Sequence, residues 1–88
     1  MINNNFKQTV LKTIEDYESM ESFLFLRGYK RESRLVGEGA QMLAEGLVEW
    51  ANANEAERMT IEYRLFEIMM AVNDFRTSIL QIEVNKYL

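Results

Sequence analysis

Apolar residues recur every three or four positions along most of this chain, the spacing that places side chains on one side of an α-helix. A first run begins at Asn5, which forms a capping-box pattern with Gln8, and ends at Arg27-Gly28. A cation there suits the helix dipole, and glycine can take the left-handed conformation that ends a helix. The apolar positions of this predicted first helix are Phe6, Val10, Ile14, Tyr17, Met20 and Leu24.

A second helix is predicted from near Ser33 to Trp50. Its apolar positions are Val36, Ala40, Leu43, Leu47 and Trp50. Gly39 and Gly46 lie beside them, although a glycine inside a helix costs about 1 kcal/mol relative to alanine. We interpret the two glycines as a surface that another backbone approaches closely, in an oligomer interface. The alternative is that they reflect only local flexibility or drift.

A third helix is predicted after the break at residues 52–54, because Asn54 and Glu57 repeat the capping-box pattern. One apolar row in it has the 4-3 spacing of a coiled-coil seam and consists of Ile61, Leu65, Ile68, Val72, Phe75, Ile79 and Ile82. A second row lies beside the first, is interrupted by Asn73 and Thr77, and consists of Met59, Tyr63, Phe66, Met70, Leu80 and Val84. A helix with two apolar rows is expected to contact two or more neighbours.

The absence of proline in 88 residues lets these helices run long. The predicted fold is all-α and a single domain over 1–88, either a three-helix bundle or a long antiparallel hairpin with an extra helix. A chain this short buries only about 60 to 65% of the surface of its unfolded form. Without cysteine or histidine, disulfides and a structural zinc are not available to stabilise it. We therefore expect a homo-oligomer, assembled through the first row of helix 3 and the glycines of helix 2.

Composition also narrows the function. The net charge is −4, and the longest uninterrupted apolar stretch is four residues, 23–26, which predicts a cytoplasmic protein that does not bind or cross a membrane. There is no histidine, no cysteine nucleophile and no glycine-rich phosphate loop, so we expect neither an enzyme nor a cofactor. Two glutamate groups have the spacing of a helical metal site, and we interpret them as solvated acidic faces: Glu15, Glu18 and Glu21, and Glu45 with Glu49.

Two segments are candidate binding sites. Four of the ten cations, Arg27, Lys30, Arg31 and Arg34, lie within eight residues around Tyr29. The cluster is expected to dock an anionic partner, with Tyr29 as the stacking or packing element; the alternative is a set of solvated turn charges. In 23–26 the side chains point in every direction around helix 1. Phe23 or Phe25 is therefore expected to dock into a second subunit or a target, unless a neighbouring helix covers it.

Trp50-Ala51-Asn52 is similar to the Trp-x-Gly turn of a family of small secreted helical-hairpin proteins, although asparagine stands where that family has glycine. We interpret Trp50 as the end of the core. The function expected from the whole sequence is a small non-enzymatic binding protein of the inhibitor, antitoxin or assembly-chaperone type that phages and mobile elements carry. The alternatives are an oligomer that binds a nucleotide or nucleic acid at 27–34, and a metal-dependent helical hydrolase.

Overall fold

The computed structural model describes residues 4–88, with only the backbone at Asn4. The chain forms three helices, α1 (Asn4–Leu26), α2 (Lys30–Ala51) and α3 (Glu55–Lys86), and no strand within the described residues. Each helix runs antiparallel to the one before it, so α1 and α3 point the same way and α2 packs against both. The result is a rod of 49 × 19 × 17 Å. The prediction of an all-α bundle with three helices is confirmed.

The α1–α2 connection ends α1 as the sequence predicts. Gly28 has φ +89°, its N–H donates to the carbonyl of Phe25 at 3.1 Å, and the N–H of Tyr29 donates to the carbonyl of Leu24 at 2.9 Å. These two bonds make a Schellman motif, which satisfies carbonyls that the helix end leaves open. Helices 1 and 2 are therefore separate and joined by a very short turn.

Two predicted helix starts fall later than the structure has them, since α1 is already helical at Asn4 and α2 at Lys30. Asn5 lies inside α1 and does not cap it. Helix α2 begins at Lys30 rather than near Ser33, because the Schellman turn leads directly into it with Tyr29 at the N-cap. The Ser33 hydroxyl donates instead to the Glu21 backbone carbonyl of α1 at 2.7 Å, a part-buried bond between helices. A residue that favours helix N-termini therefore serves here in packing.

The start of α3 is the one the sequence predicts. The Asn54 side chain accepts a hydrogen bond from the Glu57 N–H at 2.9 Å and donates to the Glu57 carboxylate at 2.6 Å. Asn54 has an extended backbone, as an N-cap residue should. Arg58 then donates to the carbonyls of Trp50 and Ala51 and closes the end of α2.

The core runs the length of the rod. Its buried apolar residues come from all three helices and are Phe6, Val10, Tyr17, Leu24, Val36, Ala40, Leu43, Leu47, Trp50, Ile61, Leu65, Met69 and Ile79. A large side chain links α1 to α3: the Tyr17 hydroxyl of α1 donates a hydrogen bond to the Met69 backbone carbonyl of α3 at 3.2 Å. Burial raises the pKa of that hydroxyl. Trp50 ends the core, with its ring 5.2 Å from that of Phe6.

Gly39 and Gly46 are close-packing positions, but the element that approaches them is α3 of the same chain. A Cβ on Gly39 would lie 3.2 Å from Cγ2 of Val72, and a Cβ on Gly46 would clash with the fully buried side chain of Leu65. Both glycines are buried in the monomer. The close approach that these glycines allow is therefore made within the monomer, by α3, rather than by a second chain as predicted.

We expect Gly46→Ala to lower the free energy of unfolding by about 1 kcal/mol, because overpacking a core costs about 1 to 3 kcal/mol and outweighs the gain in helix propensity. Gly37→Ala, in the same helix, is the matched control. The group it would meet is the end of the flexible Glu21 side chain, which can move away. That variant should gain stability, up to about 1 kcal/mol. Urea denaturation followed by circular dichroism measures both, and equal effects would contradict the role of Gly46.

Candidate partner-binding surfaces

The described residues hold no cluster of side chains suited to a metal ion. No three histidine, cysteine or carboxylate side chains in 4–88 lie close enough together to hold a metal ion, and the glutamates at 15, 18 and 21 do not converge on one site. Ser33, the buried hydroxyl, is committed to its bond with α1. Within the same range, none of the helices is long and apolar enough to cross a bilayer. The predicted binding residues 23, 25, 27, 30, 31 and 34 are exposed on the surface of the rod.

The basic cluster lies at one end of the rod. Lys30, Arg31 and Arg34 are exposed on the first turns of α2, where the sequence predicted a loop for the first two. Arg34 pairs loosely with Glu38 at 3.9 Å. Arg27 differs from the other three, because its guanidinium lies over the Phe23 ring at 5.0 Å and 4.0 Å from a Glu83 oxygen. Three of the four cations thus point into solvent and one is tied to α1 and α3.

Tyr29 packs against the core and joins this turn to the end of α3. Its hydroxyl donates to Glu83 at 2.5 Å and accepts from Lys86 at 2.9 Å, and the Lys86 ammonium lies 5.2 Å from the ring centre. These contacts are internal to the chain, and the role of Tyr29 against an anionic partner stays a prediction. Glu83 and Lys86 were not predicted as its partners, because they lie more than fifty positions away along the chain.

The two candidate docking phenylalanines lie in different clefts. Phe25 is 58% exposed and lines an open cleft of about 660 Å³ with Leu26, Lys30 and Arg34. Phe23 lines a cleft between α1 and α3, beside Leu80. Neither ring is covered by a neighbouring helix. Phe25 thus lies beside the exposed cations of α2, whereas Phe23 lies beside α3.

The first apolar row of α3 faces the core of its own chain. Ile61, Leu65 and Ile79 are buried, Ile68, Val72 and Phe75 are partly buried, and Ile82 is half exposed. This row was predicted as an oligomer interface, and all of it except Ile82 is used inside the monomer. The second row lies beside the core, where Phe66 packs edge-on against buried Phe6. Its six apolar members are all exposed: Met59, Tyr63, Phe66, Met70, Leu80 and Val84.

A further apolar groove runs between α2 and α3, and the sequence reasoning missed it. Exposed Leu35 and Met42 form one wall, partly buried Ile68 and Phe75 form the other, and Gly39 leaves room between them. The signal was available in the seven-residue spacing of the two α2 side chains. It marks a third apolar area on the rod.

The contact at Glu83 generates a prediction about acid stability. Its side chain is only 15% exposed, and the hydrogen bond from Tyr29, helped by Lys86 and Arg27, holds the pKa of the carboxyl below its usual value. In acid the unfolded chain therefore takes up a proton here before the folded chain does. Ionised Glu83 therefore adds to the free energy of unfolding. This contribution is complete above the ordinary glutamate pKa of about 4.3 and is lost as the pH falls through the lower pKa of the folded chain.

We expect Glu83→Gln to be less stable than wild type at pH 7 and the difference to shrink below about pH 4.3. Urea denaturation at a series of pH values measures this difference. Glu67→Gln, at an exposed carboxylate of the same helix, controls for the loss of one negative charge. A difference from wild type that is constant between pH 7 and pH 3 would contradict a role for ionised Glu83.

Known proteins add no further constraint on these surfaces. No protein-family model matches this chain, and neither a curated protein nor a solved structure is significantly similar to it.

Proposed function

We propose that this chain is a small non-enzymatic binding protein that acts through protein–protein contacts, in the class of inhibitors, antitoxins and assembly chaperones. The observation that carries this proposal is the apolar surface that remains outside a complete core. Sixteen large apolar side chains of the described residues are exposed. Contiguous exposed apolar patches on a soluble chain mark interaction sites. Self-association and capture of a target protein are both part of the proposal.

The target-binding surface in this proposal is the cleft at the basic end of the rod. Phe25 and Leu26, 58% and 83% exposed, would supply apolar contacts, and Lys30 and Arg34 stand at the rim of the same cleft. Anchors that bury apolar rings provide most of the affinity of an interface, whereas rim charges set orientation and association rate. The matching target is an acidic segment with at least one apolar side chain to insert.

A phosphate-bearing ligand is the second candidate at the same end. Helix α2 begins without a side-chain cap, and Lys30 and Arg31 lie in its first turn. Helix N-termini accept anions through open N–H groups, and the two cations would add to that attraction. A nucleotide bound here would give the purified protein a maximum of absorbance near 260 nm that disappears on denaturation and dialysis. A maximum near 280 nm alone favours the protein target.

Charge reversal in the basic cluster tests whether the target binds there. Lys30→Glu/Arg31→Glu, in the tagged chain expressed in its native cells, should reduce recovery of the bound protein at least tenfold, the effect of losing about 1.4 kcal/mol of binding energy. Quantitative mass spectrometry measures the recovery. Lys7→Glu/Lys12→Glu makes the same charge change at two exposed lysines of α1 and should leave recovery unchanged. Equal losses in the two variants would mean that only net charge matters.

The apolar half of the site is tested separately. Phe25→Ala should reduce recovery of the same protein, whereas Val48→Ala, at an exposed apolar residue of α2, should not. Circular dichroism should be unchanged in both, because neither side chain is buried. Full recovery with Phe25→Ala would exclude this cleft as the target site.

A further inference from the structure

Side chains on the outward side of α3 form a regular row that extends beyond the second apolar stripe. Tyr87 has right-handed helical backbone angles, so the helical spacing continues to it. We name as the outer row the exposed residues Tyr63, Phe66, Met70, Asn73, Thr77, Leu80, Val84 and Tyr87. Met70 of the outer row is five positions after Leu65 of the core, which corresponds to a rotation of about 140° around the axis of an α-helix. The other helices of the chain leave this row exposed, although they touch two of its members: the Phe66 ring meets the Phe6 ring edge-on at 5.7 Å, and Leu80 lines a cleft with Phe23.

The spacing of the outer row is the same in both directions. From Tyr63 to Tyr87 the steps are 3-4-3-4-3-4-3, and the reverse order is identical. A second copy of α3 laid antiparallel can therefore match every step over a length of about 36 Å. The facing pairs are Tyr63 with Tyr87, Phe66 with Val84, Met70 with Leu80, and Asn73 with Thr77.

The two polar residues of the row favour this register. Asn73 and Thr77 face each other across the centre of the antiparallel pair, so each meets a hydrogen-bonding side chain. A shift of one heptad would place Asn73 against Met70 and Thr77 against Phe66. A single polar position in a helical seam selects register in this way, because a polar group buried against an apolar one is costly.

The charge distribution favours the antiparallel orientation over the parallel one. Segments 27–34 and 83–88 carry five cations against two carboxylates, and segments 4–12 and 45–67, which reach the opposite end, carry six carboxylates against four cations. Antiparallel copies bring unlike ends together, whereas parallel copies would bring like ends together. Asp74 would lie near its own copy beside the axis, but it is exposed to solvent, which screens the repulsion.

We propose that a second copy of this chain docks antiparallel along the outer row of α3 and forms a symmetric dimer. The proposal names one partner within the proposed function and rests on it. Phe23 lies beside Leu80 at the α1 edge of the row and would extend the contact. The basic cleft with Phe25 lies between the end of α1 and the start of α2, away from the row, so one chain can hold both a copy and a target.

Sedimentation equilibrium tests the dimer. At tens of micromolar the wild type should sediment as two copies of the 10.4 kDa chain. Met70→Lys/Val84→Lys should weaken association at least a hundredfold, because four lysines would enter one seam. Met42→Lys/Val48→Lys makes the same replacements at exposed residues of α2 and should leave the mass unchanged. A wild-type monomer would overturn the proposal, as would a dimer that the two variants affect equally.

Spin labels test the orientation without changing the row. The sequence has no cysteine, so Thr60→Cys and Ser78→Cys each introduce one labelling site at an exposed position of α3. In the antiparallel dimer the two labels at residue 60 are about 45 Å apart along the axis and those at 78 about 9 Å apart. Short distances at both sites would mean a parallel dimer and overturn the proposal.

The outcomes separate this inference from the proposed function. Loss of target binding in Lys30→Glu/Arg31→Glu concerns the basic end alone, whereas loss of dimer mass in Met70→Lys/Val84→Lys concerns the outer row alone. A monomeric chain that still captures its target would refute the dimer and leave the binding function intact. A dimer that captures no target would support the antiparallel dimer and refute target binding at the basic end.

Discussion

Helix α3 has apolar side chains on two sides, and a bundle of three helices can cover only one of them. The side that includes Leu65 and Ile79 packs against α1 and α2 and completes the core. The side that includes Met70 and Val84 is then turned to solvent, because about 140° of helix rotation separates the two. The choice follows from the shape of the partners: the first side meets the glycines of α2, which allow close approach.

The same packing determines where the clefts are. Gly39 and Gly46 bring α3 close to α2, whereas Tyr17 spans the space between α1 and α3 with its ring and hydroxyl. Helices held by large side chains stay further apart than helices that meet at glycine. The cleft that contains Phe23 and Leu80 lies along this wider junction. An apolar edge thus adjoins the outward side of α3, where the proposed second copy docks.

At the basic end, Tyr29 holds the α1–α2 turn against the last turn of α3 through Glu83 and Lys86. This contact neutralises part of the cluster and fixes the position of the rest. Lys30 and Arg34 remain exposed beside Phe25, so charge and apolar surface are combined in one cleft. Protein targets with an acidic rim and an apolar anchor suit that combination, since a bare phosphate would gain little from the apolar part.

Helix content, the order of three helices, the left-handed Gly28 and the Asn54 cap could all be predicted from the sequence. Each depends on residues within a few positions of one another, so local preference and periodicity are sufficient. The start of α2 was placed too late, because Ser33 has the local character of a cap but bonds to another helix.

Only the tertiary structure decided which side of α3 is buried, that Gly39 and Gly46 meet α3 of their own chain, and that Tyr29 is tied to Glu83. The two apolar rows differ in sequence pattern only by the interruption of the second at Asn73 and Thr77. Which of them packs against α1 and α2 depends on the shape of the surface that each one meets. The pairing of Tyr29 with Glu83 joins residues 54 positions apart, a distance over which periodicity carries no information. Local sequence therefore determined the elements, and close packing between them determined the surfaces available for binding.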